Sequence, residues 1–157
     1  MYLYKNKFVT LIFLSFCFQS ICSAELIKPK NSIKPLEVVE IQLNGLKNNN
    51  EPYEDFGIEQ TWEFAHPNNK KYTGPLERFK KMIKGNSYSM LLDHVEHKIT
   101  EKFISNDVAT YEVIVLDFEK KYFKFKWQVE KYNKDGPLKD CWLTTVVSQP
   151  VPYGSAI

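Results

Sequence analysis

Tyr122-Phe123-Lys124-Phe125-Lys126-Trp127-Gln128-Val129-Glu130-Lys131 alternates apolar and polar side chains from Phe123 to Glu130. In an extended chain successive side chains point to opposite faces. Phe123, Phe125, Trp127 and Val129 therefore share one face, and Lys124, Lys126, Gln128 and Glu130 share the other. This is the pattern of a strand in a sheet with one packed side and one wet side. The same period of two predicts strands over 94–103, 108–116 and 141–147. Turns are expected at Ser105-Asn106-Asp107 and at Asn133-Lys134-Asp135-Gly136-Pro137. Short connections make antiparallel neighbours.

Upstream of Asp93 the period is helical. Leu36, Val39, Leu43 and Leu46 recur at three- and four-residue steps over 35–46, with Pro35 suited to a first helical turn and Ser32 or Asn31 as the cap. Ile58, Trp62 and Ala65 give a second short helical face, ended by Pro67. Thr73-Gly74-Pro75 opens a third helix with the stripe Leu76, Phe79 and Met82 or Ile83, closed by Gly85. Lys47-Asn48-Asn49-Asn50 and Asn68-Asn69-Lys70-Lys71 read as turns. The expected class is α+β: three N-terminal helices packed on one face of a curved four-stranded antiparallel sheet.

Outside this block the chain changes character. Met1–Lys7 holds two lysines and no acid, 8–18 is an apolar run, and Cys22 and Ala24 place small residues before the first acid, Glu25. Basic start, short apolar core and small residues make a secretory signal over 1–24, with cleavage after Ala24. The run is shorter than the roughly 20 apolar residues of a membrane span. The expected organisation is a signal at 1–24, a flexible leader at 25–34, one domain at 35–147 and a loose tail at 148–157. Export to a periplasm, a thylakoid-type lumen or the exterior follows as the expected localisation, with no membrane span after cleavage.

Removing the signal changes the charge and the cysteines. The chain has 21 Lys+Arg and 19 Asp+Glu, and loss of Lys5 and Lys7 leaves 19 of each. A neutral domain has no net field to draw nucleic acid or an anionic surface. Cys17 and Cys22 leave with the signal, so Cys141 has no intrachain partner for a disulfide and reads as a small buried hydrophobe. The cluster Lys80-Lys81-Lys84 reads as a solvated helix face.

Several segments together resemble a known family. They are Pro35-Leu36-Glu37-Val38-Val39 with Ile41-Gln42-Leu43, then Phe64-Ala65, Thr73-Gly74-Pro75-Leu76-Glu77-Arg78-Phe79, Gly136-Pro137 and Cys141-Trp142-Leu143-Thr144. Over residues 35–147 the chain resembles an uncharacterised branch of the nuclear transport factor 2-like superfamily, found in bacteria and in plastid-targeted plant proteins. The resemblance implies a cone whose helices close over a bent sheet. Elsewhere in that superfamily the cone interior is a ligand pocket, used by isomerases, dehydratases, cyclases and non-enzymatic binders. Fold of this kind implies a pocket without specifying a reaction.

Candidate chemistry is sparse. His94 and His97 in Asp93-His94-Val95-Glu96-His97 suggest a metal pair, but on a strand they point to opposite faces, so no metal is expected. His97 shares a face with Val95, Ile99 and Glu101, and a His with a carboxylate facing a cone interior is an acid–base arrangement. A rim histidine bonded to water or a neighbour is the simpler reading. His66, before Pro67, is expected to sit favourably at a helix C-terminus. Trp62, Tyr111 and Trp127 fall on inward faces and are expected to line any cavity with flat apolar walls, with Trp142 less firmly placed. No nucleophile elbow or phosphate-binding glycine loop is present, and no cofactor is expected. The expected function is non-enzymatic binding of a small apolar ligand or a protein partner. The alternative is an isomerase- or dehydratase-type pocket enzyme with His97 as base, assisted by Glu101 or Tyr111. The charged row Lys124, Lys126 and Glu130 argues against an obligate apolar dimer and leaves a monomer or a weak dimer.

Overall fold

The computed structural model describes residues 25–156. The described residues form four helices, α1 (Pro35–Lys47), α2 (Phe56–Glu63), α3 (Pro67–Thr73) and α4 (Leu76–Lys84), then a short 3₁₀ turn at Ser89–Leu91. Five strands follow: β1 (Glu96–Ile104), β2 (Val108–Leu116), β3 (Lys121–Lys131), β4 (Trp142–Val147) and β5 (Val151–Ser155). All pair antiparallel in the order β1-β2-β3-β4, with β5 also on β3. The result is a curved, open antiparallel sheet with the helices on one face, an α+β fold.

The alternation in 122–131 does what its period requires. Phe125, Trp127 and Val129 are buried beneath the helices, and Lys126 is exposed on the other side. Their neighbours on β2, Ala109, Tyr111, Val113 and Val115, are also buried, in register with Val129, Trp127, Phe125 and Phe123. From α1 the core takes Val38, Val39, Leu43 and Leu46, and from α2 and α4 it takes Ile58, Phe79 and Ile83. The buried stripe of α1 is rotated from the expected one. Leu36 is 40% exposed, and Val38 and Gln42 face inward in its place. Lys34 is the N-cap, its N–H donated to Glu37 Oε2 at 2.6 Å rather than capped by Ser32 or Asn31.

Among the described residues the expected three helices are four. Asn68-Asn69-Lys70-Lys71 is not a turn but the body of α3, which buries no side chain and so has no apolar period to read. It is held by polar bonds: Asn69 Nδ2 donates to the carbonyls of Thr144 and Thr145 at 3.0 and 2.8 Å. The segment before it, Phe64–His66, lies along the outer edge of β4. His66 N donates to Thr144 O at 2.9 Å and Thr144 N donates to Phe64 O at 2.8 Å, a parallel bridge in an otherwise antiparallel sheet. That contact covers an edge that would otherwise offer unpaired backbone groups.

Ordered structure extends past 35–147 at both ends. The loose tail expected at 148–157 contains β5, whose residues Val151 to Ser155 pair with Lys124 to Lys121 of β3. β4 and β5 run in the same direction along one side of β3, bridged by Ser148, which donates its N–H to Lys126 O and accepts from Lys126 N. The leader is pinned at Ile27, whose N–H and C=O bond the side-chain amide of Gln60, each at 2.8 Å. The lysines on α4 are not simply solvated either. Lys80 meets Glu59 at 2.8 Å and Lys84 meets Asp55 at 2.9 Å, tying α4 to the start of α2. Pairing with Glu59 holds the Lys80 ammonium above its ordinary pKa. The signal expected over 1–24 lies outside the described residues.

Candidate functional site

A cavity of about 280 Å³ opens between α1, the α2–α3 junction, α4, the 3₁₀ turn and the β3–β4 pair. Its apolar wall includes Leu46, Phe79, Ile83, Leu91, Trp127 and Val147. Met82 and Val146, 36% and 38% exposed, mark its mouth. The polar part of the lining consists of amides and hydroxyls: Gln42, Asn69, Thr61, Thr73, Thr144, Thr145 and Tyr88. The size lies near the lower end of small-molecule sites, which run from about 300 to 1,000 Å³.

Gln42 organises the inner end. Its position among Val38, Val39, Leu43 and Leu46 puts an amide on the buried face of α1, where it is 1% exposed. Its Oε1 accepts from Trp127 Nε1 at 3.1 Å and from Thr144 Oγ1 at 2.6 Å, and its Nε2 donates to Thr61 O at 3.0 Å. An indole N–H only donates, so the orientation of the amide is fixed. One side chain thus joins α1, α2, β3 and β4. A glutamine at a core position of an amphipathic helix is the signal in the sequence that points to it.

The three aromatic residues expected to line a pocket fall in different places. Trp127 lines the cavity. Trp62 packs beside it, its ring 4.9 Å from that of Phe79, with Gly74 against its other edge and Lys70 Nζ 5.4 Å from its centre. Tyr111 is 1% exposed on the inner face of β2, and its hydroxyl is the one buried side-chain polar atom among the described residues with no hydrogen-bond partner. Burial, then the carboxylates of Glu101 and Glu40, push its phenol up to about 12.

His94 and His97 meet, contrary to the expectation that they face apart. The reason is backbone. Asp93 adopts a left-handed conformation (φ 52°), its N–H donating to Leu46 O at 2.9 Å and its Oδ1 accepting from Asn49 N at 3.2 Å. The strand starts only at Glu96, so the period of two does not apply to His94. His94 turns inward, 2% exposed, with Nδ1 2.7 Å from Leu91 O and Nε2 2.7 Å from His97 Nδ1. A carbonyl only accepts, so Nδ1 of His94 carries the hydrogen and Nε2 accepts from His97 Nδ1–H. Burial pushes His94 down to about 4, opposed by the Leu91 carbonyl and helped by His97 and Lys47. Burial and Lys47 also lower His97.

This pair lies apart from the cavity lining. Glu101 is exposed and opposite Tyr111, and His97 is opposite Val115, a separation of four strand residues or roughly 13 Å along β1. His97 therefore has His94, not Glu101 or Tyr111, as its partner. His66 is the N-cap of α3 rather than the end of α2, its Nδ1 accepting from Asn68 N at 3.1 Å. Cys141 is buried, its thiol pushed up by burial and by Asp140. Among the described residues no group of three or more His, Cys, Asp or Glu could hold a metal ion, and no helix is long and apolar enough to cross a membrane.

No protein-family model, curated protein or solved structure matches the chain.

Proposed function

We propose that this chain is an exported, non-enzymatic binding module of the nuclear transport factor 2-like type, which holds a small apolar or amphipathic molecule in the cavity beside Trp127. The observation that carries the reading is the composition of the lining. Aromatic and aliphatic walls supply apolar contact area, while amides and hydroxyls supply orientation. These polar groups bind without changing protonation, so they suit recognition better than proton transfer. The helices lying over one face of a curved sheet, with the cavity lined by both layers, support the family assignment.

The isomerase- or dehydratase-type alternative loses support from the placement of His97. A base needs hydrogen-bond reach of the proton it removes, and His97 is bonded to His94 away from the cavity. Glu101 and Tyr111 are too far along the sheet to assist it.

The test is to recover the full chain from its native compartment and identify co-purifying small molecules by mass spectrometry, in parallel with Val147→Phe, which fills the cavity. The expected outcome is a molecule enriched on the natural chain and lost from the variant, with both chains showing cooperative thermal unfolding. Equal recovery on both chains, or no reproducible molecule on either, overturns cavity binding and leaves a protein partner as the reading.

A further inference from the structure

Resting on the cavity as the binding site, we infer that its ligand is an apolar molecule bearing a hydrogen-bond donor, such as a neutral alcohol, phenol or amine, and not a carboxylate or phosphate. The ground is where the hydrogens of the lining already go. Trp127 Nε1–H and Thr144 Oγ1–H both point to Gln42 Oε1, at 3.1 and 2.6 Å. Thr61 Oγ1 donates to Gly57 O at 2.9 Å, Thr73 Oγ1 to Asn69 O at 2.8 Å, and Thr145 Oγ1 to Glu130 Oε1 at 3.0 Å. Both N–H groups of Asn69 go to the carbonyls of Thr144 and Thr145.

What these side chains leave uncommitted is lone pairs. A hydroxyl that has donated its single hydrogen still accepts, and an amide that has donated both hydrogens still presents its oxygen. Thr61, Thr73 and Thr144 therefore offer acceptor sites, and Asn69 offers Oδ1. Two side-chain donors are less tightly held: the second N–H of Gln42, and the hydroxyl of Tyr88, 3.4 Å from Val147 O. Tyr88 sits at the outer end, where it also accepts from Gln149 Nε2 at 3.2 Å. A ligand O–H or N–H entering beside Trp127 meets oxygen lone pairs. A carboxylate or phosphate meets the same lone pairs after losing its water, and no Lys, Arg or His belongs to the lining to offset its charge.

The experiment follows the Trp127 indole N–H and the Thr144 amide by nuclear magnetic resonance on the full chain, titrated at neutral pH with cyclohexanol, methylcyclohexane and cyclohexanecarboxylate. Cyclohexanol is expected to shift both signals and to bind about tenfold tighter than methylcyclohexane, the size of one well-made hydrogen bond. Cyclohexanecarboxylate is expected to shift neither. Carboxylate binding as tight as the alcohol's, or equal affinities for alcohol and hydrocarbon, overturns the donor inference while the cavity stands as a site. If none of the three probes moves either signal, the binding reading itself fails.

Discussion

Gln42 on α1 and Trp127 on β3, 85 residues apart in sequence, are joined by a buried hydrogen bond of 3.1 Å. The same amide oxygen takes the Thr144 hydroxyl, and its nitrogen takes the Thr61 carbonyl. Removing one partner from a buried network leaves the others unsatisfied, which costs more than the bond itself contributes. Gln42→Leu is therefore expected to destabilise the domain by about 2–4 kcal/mol in urea unfolding. Thr144→Val, which leaves the indole bond in place, is expected to cost about 1 kcal/mol. Equal costs for the two substitutions would show that the amide is not the hub.

Tyr111 presents the opposite case. Its hydroxyl is buried with no partner, so removing it takes away a desolvation cost and no hydrogen bond. Tyr111→Phe is expected to raise stability by about 1 kcal/mol, against the usual direction for a core substitution. A measured loss of stability in thermal or urea unfolding would contradict this.

Gly45 and Gly57 mark the close crossing of α1 and α2. A Cβ on Gly57 would lie 2.0 Å from the Gly45 carbonyl oxygen, whereas one on Gly45 would meet nothing nearer than 3.4 Å. Backbone does not yield as a side-chain tip does. Gly57→Ala is expected to cost more than about 3 kcal/mol, and Gly45→Ala to fall within about 1 kcal/mol of the natural chain. Paired urea melts decide it.

His94 sets the response to acid. The native state holds it neutral down to about 4, while the unfolded chain takes up a proton near 6.5. Between those values the unfolded state binds more protons, so this contribution to stability is complete above about pH 6.5 and is lost as pH falls toward 4. From pH 7.5 to 5 the expected loss is about 2 kcal/mol. His66 and His97 are lowered in the same direction, so His94→Gln is the control. Its unfolding free energy should depend less on pH across that window, and an unchanged slope would assign the effect to the other two.

The sheet was legible because its period is strict. From Ala109 to Val115 in β2 and from Phe123 to Val129 in β3 every inward position is aliphatic or aromatic. What escaped reading was held by polar or backbone contacts that have no period. α3 has no apolar stripe and stands on the amide of Asn69. β5 contains Pro152 and Gly154, which break an interior strand but are tolerated at an edge. The His94–His97 contact depends on the left-handed turn at Asp93, which moves the strand's start past His94. Of the candidate site, Trp127 was visible from alternation. Gln42 was visible only as a polar residue out of place on an apolar helix face, and Trp62 and Tyr111 show that an inward aromatic packs into core as readily as it faces a cavity.

The short connector Phe64–His66, bridged to Thr144, has a consequence in time as well as in shape. Its backbone is stitched into the sheet although it lies between two helices, so it opens only when β4 opens. In amide hydrogen exchange, His66 and Thr144 are expected to lose protection together, at the pace at which β4 opens. A tripeptide between helices thereby belongs, by its kinetics, to the sheet.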